Sequence, residues 1–307
     1  MELEKIVLIK KPTRLEEMLK RHATTSQIKF YLESRNESYG LYKDEHDAYL
    51  AGFEQTLSLM PKSMRLQIIN RELLTTHQFA EKDIVVVVGD AGLFVNVAKY
   101  VSEQPVIVVN PDQKRIDDVF TSCTPKTFPE ILSKTLDGKI SIEKLTMAEA
   151  CLEDGQIIYG LNDIFIGRNS HVSARYELHY NGNSERQSSS GIIVATGSGS
   201  TGWLTSAMVG AYAITSGTSY PADKFAFPRG ADYLKFIVRE PFPSITTGAK
   251  IVQGRISARN PLKVVSNIPI HGVIFSDGIE EDYLDFNAGK IVTVKPALKQ
   301  VHLVKQY

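Results

Sequence analysis

The chain opens with Ile6-Val7-Leu8-Ile9, a run of apolar residues that reads as a strand, and continues with Leu15 to His22, where apolar residues recur at helical spacing between charges. Ile28-Lys29-Phe30-Tyr31-Leu32 is expected to add a short strand, His46 to Leu59 a helix, and Met64 to Ile69 another strand. Ile84-Val85-Val86-Val87-Val88 has no polar alternation, as expected of a central strand covered on both faces. Gly89-Asp90-Ala91-Gly92 then turns the chain into a helix over Leu93 to Val101, and Val106 to Val109 forms a further buried strand ending at the turn Asn110-Pro111-Asp112. This alternation predicts an open parallel α/β (Rossmann-like) sheet.

The pattern breaks around Thr124 to Pro129, and a short helix near Glu130 to Lys134 closes the first part. Beyond it, Ile140 to Met147, Gln156 to Tyr159, Ile164 to Ile166, Ala174 to Tyr180 and Gly191 to Ala195 read as strands, with Asn181-Gly182 as a hairpin turn. Leu234 to Val238, Lys250 to Ser257, Leu262 to Val265 and Gly272 to Phe275 continue the series, and Ile291 to Val304 supplies one or two closing strands. The expected organisation is an α/β domain over 1–130 and a mostly-β domain over 131–290, with the strands of 290–307 free to pack back onto the first.

With 43% hydrophobic and 23% charged residues, the 307-residue chain has the balance of a soluble globular protein. Its 35 basic and 35 acidic residues cancel, so no bulk electrostatic grip on nucleic acid is expected. No apolar stretch is long enough for a membrane helix, and the acidic start, Met1-Glu2-Leu3-Glu4, is unlike a signal peptide. Cys123 and Cys151 are the only cysteines, which fits a reducing cytoplasm better than a disulfide framework.

Two glycine-rich turns carry candidate chemistry. Gly89-Asp90-Ala91-Gly92 sits at the carboxyl end of a buried strand and opens a helix, where small residues and exposed amides suit a phosphate. Asp90 there has two readings, a carboxylate that binds metal or accepts a hydroxyl proton, or a helix cap. The second turn, Thr196-Gly197-Ser198-Gly199-Ser200-Thr201-Gly202-Trp203, lies between a strand and a helix; its amides and hydroxyls suit a ribose or phosphate, and Trp203 a base or the core. Asn162-Asp163 before a strand can read hydroxyls or an adenine edge, and Ser276-Asp277-Gly278 reads as a tight turn. Ser188-Ser189-Ser190 reads as a flexible turn. The histidines lack zinc-hydrolase spacing, and Gly199-Ser200-Thr201-Gly202 lacks the spacing of a serine-hydrolase elbow.

In their order, these pieces resemble the NAD kinase family: a glycine-and-aspartate turn after a buried strand, Asn162-Asp163, the loop ending Gly199-Ser200-Thr201-Gly202, and Asp277-Gly278. The segment Leu161 to Trp203, with Asn162-Asp163-Ile164-Phe165-Ile166-Gly167 and Trp203 where most members have tyrosine, is similar to the divergent, mitochondrial-type branch. The resemblance implies transfer of the γ-phosphoryl group of ATP to the 2′-hydroxyl of the adenosine ribose of NAD, with Mg²⁺, in a homodimer or homotetramer. It implies Asp90 as general base, Gly89 and Gly92 beside the phosphates, and Asn162 and Asp163 on the adenosine. Thr201, Gly202, Trp203 and Ser206 would line the nucleotide pocket, with Asp277 as a further contact.

The family turn is Gly-Gly-Asp-Gly-Thr, whereas this chain has Val88-Gly89-Asp90-Ala91-Gly92. Val88 brings a branched side chain to the phosphate approach, and Ala91 disfavours a positive φ. Two alternatives therefore stand beside an NAD kinase using ATP or polyphosphate: a nucleotide-binding protein without catalysis, and a related-fold kinase of a lipid or sugar hydroxyl.

Overall fold

The computed structural model describes residues 3–217 and 222–305. Of the expected terminal strands, Met1, Glu2, Gln306 and Tyr307 lie outside the described residues. The chain divides into two compact units, Met1–Glu143 with Val301–Tyr307, and Lys144–Gln300.

In the first unit the elements run β1 (Lys5–Lys10), α1 (Arg14–Arg21), α2 (Thr25–Glu33), α3 (Tyr39–Ser58), β2 (Arg65–Asn70), β3 (Asp83–Val88), α4 (Ala91–Ala98), β4 (Pro105–Val109) and α5 (Phe128–Leu136). The sheet order is β2-β1-β3-β4, with each neighbouring pair parallel. Every residue of β3 is buried, which explains its unbroken apolar run. The core joins β1, β3 and β4 to Phe53 of α3 and to Phe128, Ile131 and Leu132 of α5. Among the described residues no helix is long and apolar enough to cross a membrane.

Ile28 to Leu32 forms part of helix α2, not the expected strand. The Thr24 hydroxyl accepts from the Gln27 amide at 3.3 Å, capping the helix, and Ile28 and Leu32, four residues apart, are both fully buried against Leu15. Phe30 is 75% exposed, so the apolar run was one buried stripe plus an outward aromatic.

The later elements are β5 (Ser141–Leu152), β6 (Ile157–Gly160), β7 (Asp163–Arg168), β8 (Ala174–Tyr180), β9 (Asn183–Ser189), β10 (Ile192–Ala195), α6 (Trp203–Ser216), β11 (Tyr233–Val238), β12 (Gln253–Ser257), β13 (Leu262–Ser266), β14 (Gly272–Ser276), β15 (Ile279–Asp285) and β16 (Ile291–Lys305). In the second unit an antiparallel sheet β12-β11-β10-β7-β14-β15 packs face to face with strands β16, β13, β8, β9 and the β5–β6 hairpin, around Tyr176, Phe236, Phe286 and aliphatic side chains of both layers. Two details differ from the expectations, those of Ser188–Ser189 and of β15, and a third, that of Ile291 to Val304, decides between the one or two strands expected there. Ser188 and Ser189 belong to β9, with Ser189 buried and its hydroxyl 2.7 Å from the Tyr176 phenol, so the serine run is sheet and not a flexible turn. Ile291 to Val304 lies in one long strand, whose last part pairs in parallel with β4 in the first unit. β15 carries acidic residues on an edge and gave no apolar signal.

Ile28→Ala is expected to lower unfolding stability by about 2–4 kcal/mol, and Phe30→Ala by no more than about 0.5 kcal/mol, in urea titrations. Equal losses would contradict the helical placement of this segment.

Candidate functional site

In the first unit, β1 is flanked by β2 on one side and β3 on the other, and β3 by β4, so the connections leaving β1 and leaving β3 run in opposite directions from their shared carboxyl edge. Such a switch point leaves a crevice where open α/β sheets bind ligands. Lys11 follows β1 there, and Gly89-Asp90 follows β3. Asp90 is the N-cap of α4: its Oδ1 accepts from the Leu93 amide at 3.1 Å. Its Oδ2 accepts from the Lys11 ammonium at 2.5 Å. The capping reading is therefore realised, yet one carboxylate oxygen faces a side-chain cation rather than backbone.

Burial works against the charge on Asp90, but the Lys11 ammonium and the Leu93 amide outweigh it and hold the carboxyl below the usual carboxylate range. Tyr49 of α3 fixes this edge. Its hydroxyl donates to the Val88 carbonyl at 3.1 Å and accepts from the Lys11 amide at 3.2 Å, tying the ends of β1 and β3 together. Burial pushes the Tyr49 phenol up to about 12, so it stays a donor. Asp118, in the loop that leaves β4 at Asn110 and returns at Cys123, is pushed above the usual range by burial and then by the charge of Asp90.

Val88 and Ala91 do not act as their side chains alone suggest. The Val88 side chain is fully buried in the sheet core, and Ala91 is the first helical residue of α4, outside the positive-φ positions. Gly92 lies within the first turn of α4, where a Cβ would come no closer than 3.5 Å to the Asp90 Oδ1, so neither its φ nor crowding requires glycine.

In the second unit, Leu161-Asn162-Asp163 leads into β7, and Asp277 holds it. Asp277 and Gly278 both have positive φ, as the tight turn between β14 and β15 requires. The Asp277 carboxylate accepts from the amides of Leu161 at 3.0 Å, Asn162 at 2.7 Å and Asp163 at 3.3 Å. Its own amide donates to the Asp163 carbonyl at 3.0 Å. Thr196 completes the knot from the glycine-rich loop, its amide donating to the Asn162 carbonyl at 2.9 Å and its hydroxyl to the Leu161 carbonyl. Gly199 must be glycine for the same reason, since a Cβ there would lie 2.1 Å from the Asn162 carbonyl oxygen.

Asn162 is half-buried, and Asp163 is only 8% exposed with no described residue giving its carboxyl a hydrogen bond. Burial, then the charge of Asp277, raises its pKa to about 7. An unpartnered buried carboxyl is costly unless something else bonds it, which makes Asp163 the group of this unit best suited to a ligand. Thr201, Gly202 and Ser206 are exposed at the start of α6. Trp203 is half-buried and stacks on Phe165, with ring centroids 5.5 Å apart and planes 19° apart, while the Arg239 guanidinium lies 5.3 Å from its ring. The Phe165 ring lies against Gly191, whose φ is +112° and whose Cβ would meet the ring at 2.5 Å. Trp203 is thus built into the aromatic layer over β7, and its expected stacking on a base loses at least the face that Phe165 covers.

The structure thus gathers Gly89, Asp90 and Gly92 at one edge of the first unit, and Asn162, Asp163 and Asp277 with the 196–203 loop in the second. Sequence reasoning gave no role to Lys11 or Tyr49 and read Thr196 only as part of the glycine-rich turn, because their roles depend on contacts 34 to 79 residues away in sequence.

No family model matches the sequence, and neither does any curated protein. Solved structures do match in fold. Yeast NADH kinase complexed with NADH is similar with a TM-score of 0.64 and 14% identity, covering 100% of this chain and 84% of that one. An NAD kinase from Archaeoglobus fulgidus in complex with ATP is similar with a TM-score of 0.57 and 17% identity, covering 99% of this chain and 94% of that one. The chain has the two-domain fold of those kinases, an α/β domain followed by a β domain.

Asp163 binds its proton more tightly folded than unfolded, so the folded state loses stability as pH rises from about 4 to about 7. Asp163→Asn is expected to match the wild type near pH 4 and to exceed it above pH 7 by on the order of 2–4 kcal/mol in denaturant titrations. A constant difference across that window would contradict the raised pKa.

Proposed function

We propose that the protein is an NAD kinase, transferring the γ-phosphoryl group of ATP, or a phosphoryl group of polyphosphate, to the 2′-hydroxyl of the adenosine ribose of NAD to give NADP. The observation that carries the reading is Asp90 at the switch point of the parallel sheet, its Oδ2 accepting from the solvent-reachable Lys11 ammonium. The kinases of the same fold were crystallised with NADH and with ATP, which supports the substrate classes.

In this reading the α4 amides, with Gly89 and Gly92, receive donor phosphates, as a helix N-terminus does for anions. Asp90 accepts the proton of the 2′-hydroxyl while that oxygen bonds to phosphorus, the bridging P–O bond of the donor breaks, and ADP leaves. Asn162 and the carboxyl of Asp163 contact the adenosine, and Thr201, Gly202 and Ser206 line the nucleotide pocket. Trp203 forms its wall. Asp277 acts behind the site, since its carboxylate is committed to three backbone amides. Among the described residues no group of three His, Cys, Asp or Glu side chains could hold a metal ion, so Mg²⁺ belongs to this reading as the MgATP substrate, coordinated chiefly by phosphate oxygens and water. The reading includes self-association as a homodimer or homotetramer in the cytoplasm, and sedimentation equilibrium measures the former.

The test incubates the purified protein with NAD or NADH and either MgATP or polyphosphate, and follows NADP(H). Asp90→Asn is expected to lower kcat by at least about 100-fold. Asparagine still caps α4, so the variant's unfolding stability is expected to fall by no more than about 1 kcal/mol. Absence of product with every pair of substrates, despite measurable NAD binding, would overturn the kinase reading in favour of a nucleotide-binding protein.

A further inference from the structure

We propose that Lys11 is a second catalytic residue, an ammonium that leaves Asp90 and engages the transferred phosphoryl group when a triphosphate or polyphosphate donor binds. The proposal rests on the phosphoryl-transfer reading of the Asp90 site.

Three features of the crevice lead to it. Lys11 and Asp90 are 29% and 40% exposed, so their ion pair is reachable from solvent. The Lys11 backbone is fixed by the bond from its amide to Tyr49 and by the turn into α1, where Thr13 and Glu16 form a capping box, so only the side-chain stem is free to swing. The neighbouring cations are engaged elsewhere: Lys10 lies over the Phe53 ring at 5.3 Å, Arg14 is bonded to Glu45 and lies over Tyr42 at 4.6 Å, and Arg115 pairs with Asp112 at 2.7 Å.

A lysine ammonium is a compact charge on a flexible stem, able to exchange one anion for another without rebuilding its surroundings. A triphosphate chain offers several negative oxygens against the single charge of Asp90, so donor binding competes well for the ammonium. The exchange has two effects on the same step. The ammonium neutralises charge on the phosphoryl oxygens as the ribose oxygen attacks and the bridging bond breaks. Asp90 loses the cation that lowered its proton affinity and becomes a better acceptor for the hydroxyl proton. The proton leaves the hydroxyl for Asp90, the electron pair of the broken P–O bond stays with the departing ADP or shortened polyphosphate, and Lys11 remains protonated throughout.

The test compares wild type, Lys11→Met and Lys11→Arg. Calorimetric titration with tripolyphosphate is expected to show binding to the wild type, at least about tenfold weaker binding to Lys11→Met, and recovery in Lys11→Arg. In the kinase assay Lys11→Met is expected to lower kcat by at least about 100-fold while NAD affinity is kept. Because removal of the ammonium raises the proton affinity of Asp90, the acid limb of the kcat profile of Lys11→Met should move to higher pH. Tripolyphosphate binding that is absent in the wild type, or unchanged in a folded Lys11→Met, overturns the proposal. Lysine-dependent tripolyphosphate binding without any NADP formation sustains the phosphate role of Lys11 and removes NAD as the acceptor.

Discussion

Buried backbone groups must find partners, and both candidate regions are organised around side chains that meet this requirement. At the edge of the parallel sheet, the Tyr49 hydroxyl serves the Lys11 amide and the Val88 carbonyl at once, so the ends of two strands are held at a fixed spacing. In the second unit the Asp277 carboxylate accepts three successive amides, and Thr196 takes the carbonyls of the same turn. Remove either anchor and the candidate residues, Asp90 in one unit and Asn162-Asp163 in the other, lose the backbone geometry that aims them.

The two key carboxylates are driven in opposite directions. Asp90 is partly buried but faces an ammonium and a helix N-terminus, so its charge is favoured. Asp163 is more deeply buried, has no cation beside it among the described residues, and lies near the charge of Asp277, so its neutral form is favoured. Opposed shifts of this kind allow one carboxyl to accept a proton or hold a charge while another is able to donate a hydrogen bond. The division of labour follows from neighbours, since both residues are aspartates.

Much of the fold was legible because burial imposes periodicity. The run Ile84 to Val88 could only be a strand covered on both faces, and the break after it, with Gly89 and Asp90, gave the start of α4. The region Ile28 to Leu32 was misread because five residues of mixed apolar character fit a strand and a helix alike; the Thr24 cap and the burial of Ile28 and Leu32 against Leu15 decided between them. Edge strand β15 was missed because its residues are mostly exposed and charged, so no pattern of burial is written in it.

By itself, the sequence determined the class of fold, the placement of the two glycine-rich turns between strand and helix, and the candidate status of Asp90, Asn162 and Asp163. Those features depend on local preferences and on alternation along the chain. Tertiary structure decided which partner each polar atom has: that Lys11 faces Asp90, that Asp277 binds backbone, that Val88 turns into the core, and that Trp203 lies on Phe165 above Gly191. A hydrogen bond or an ion pair depends on distance in space, and residues 79 or 115 positions apart become neighbours only once the sheets have formed.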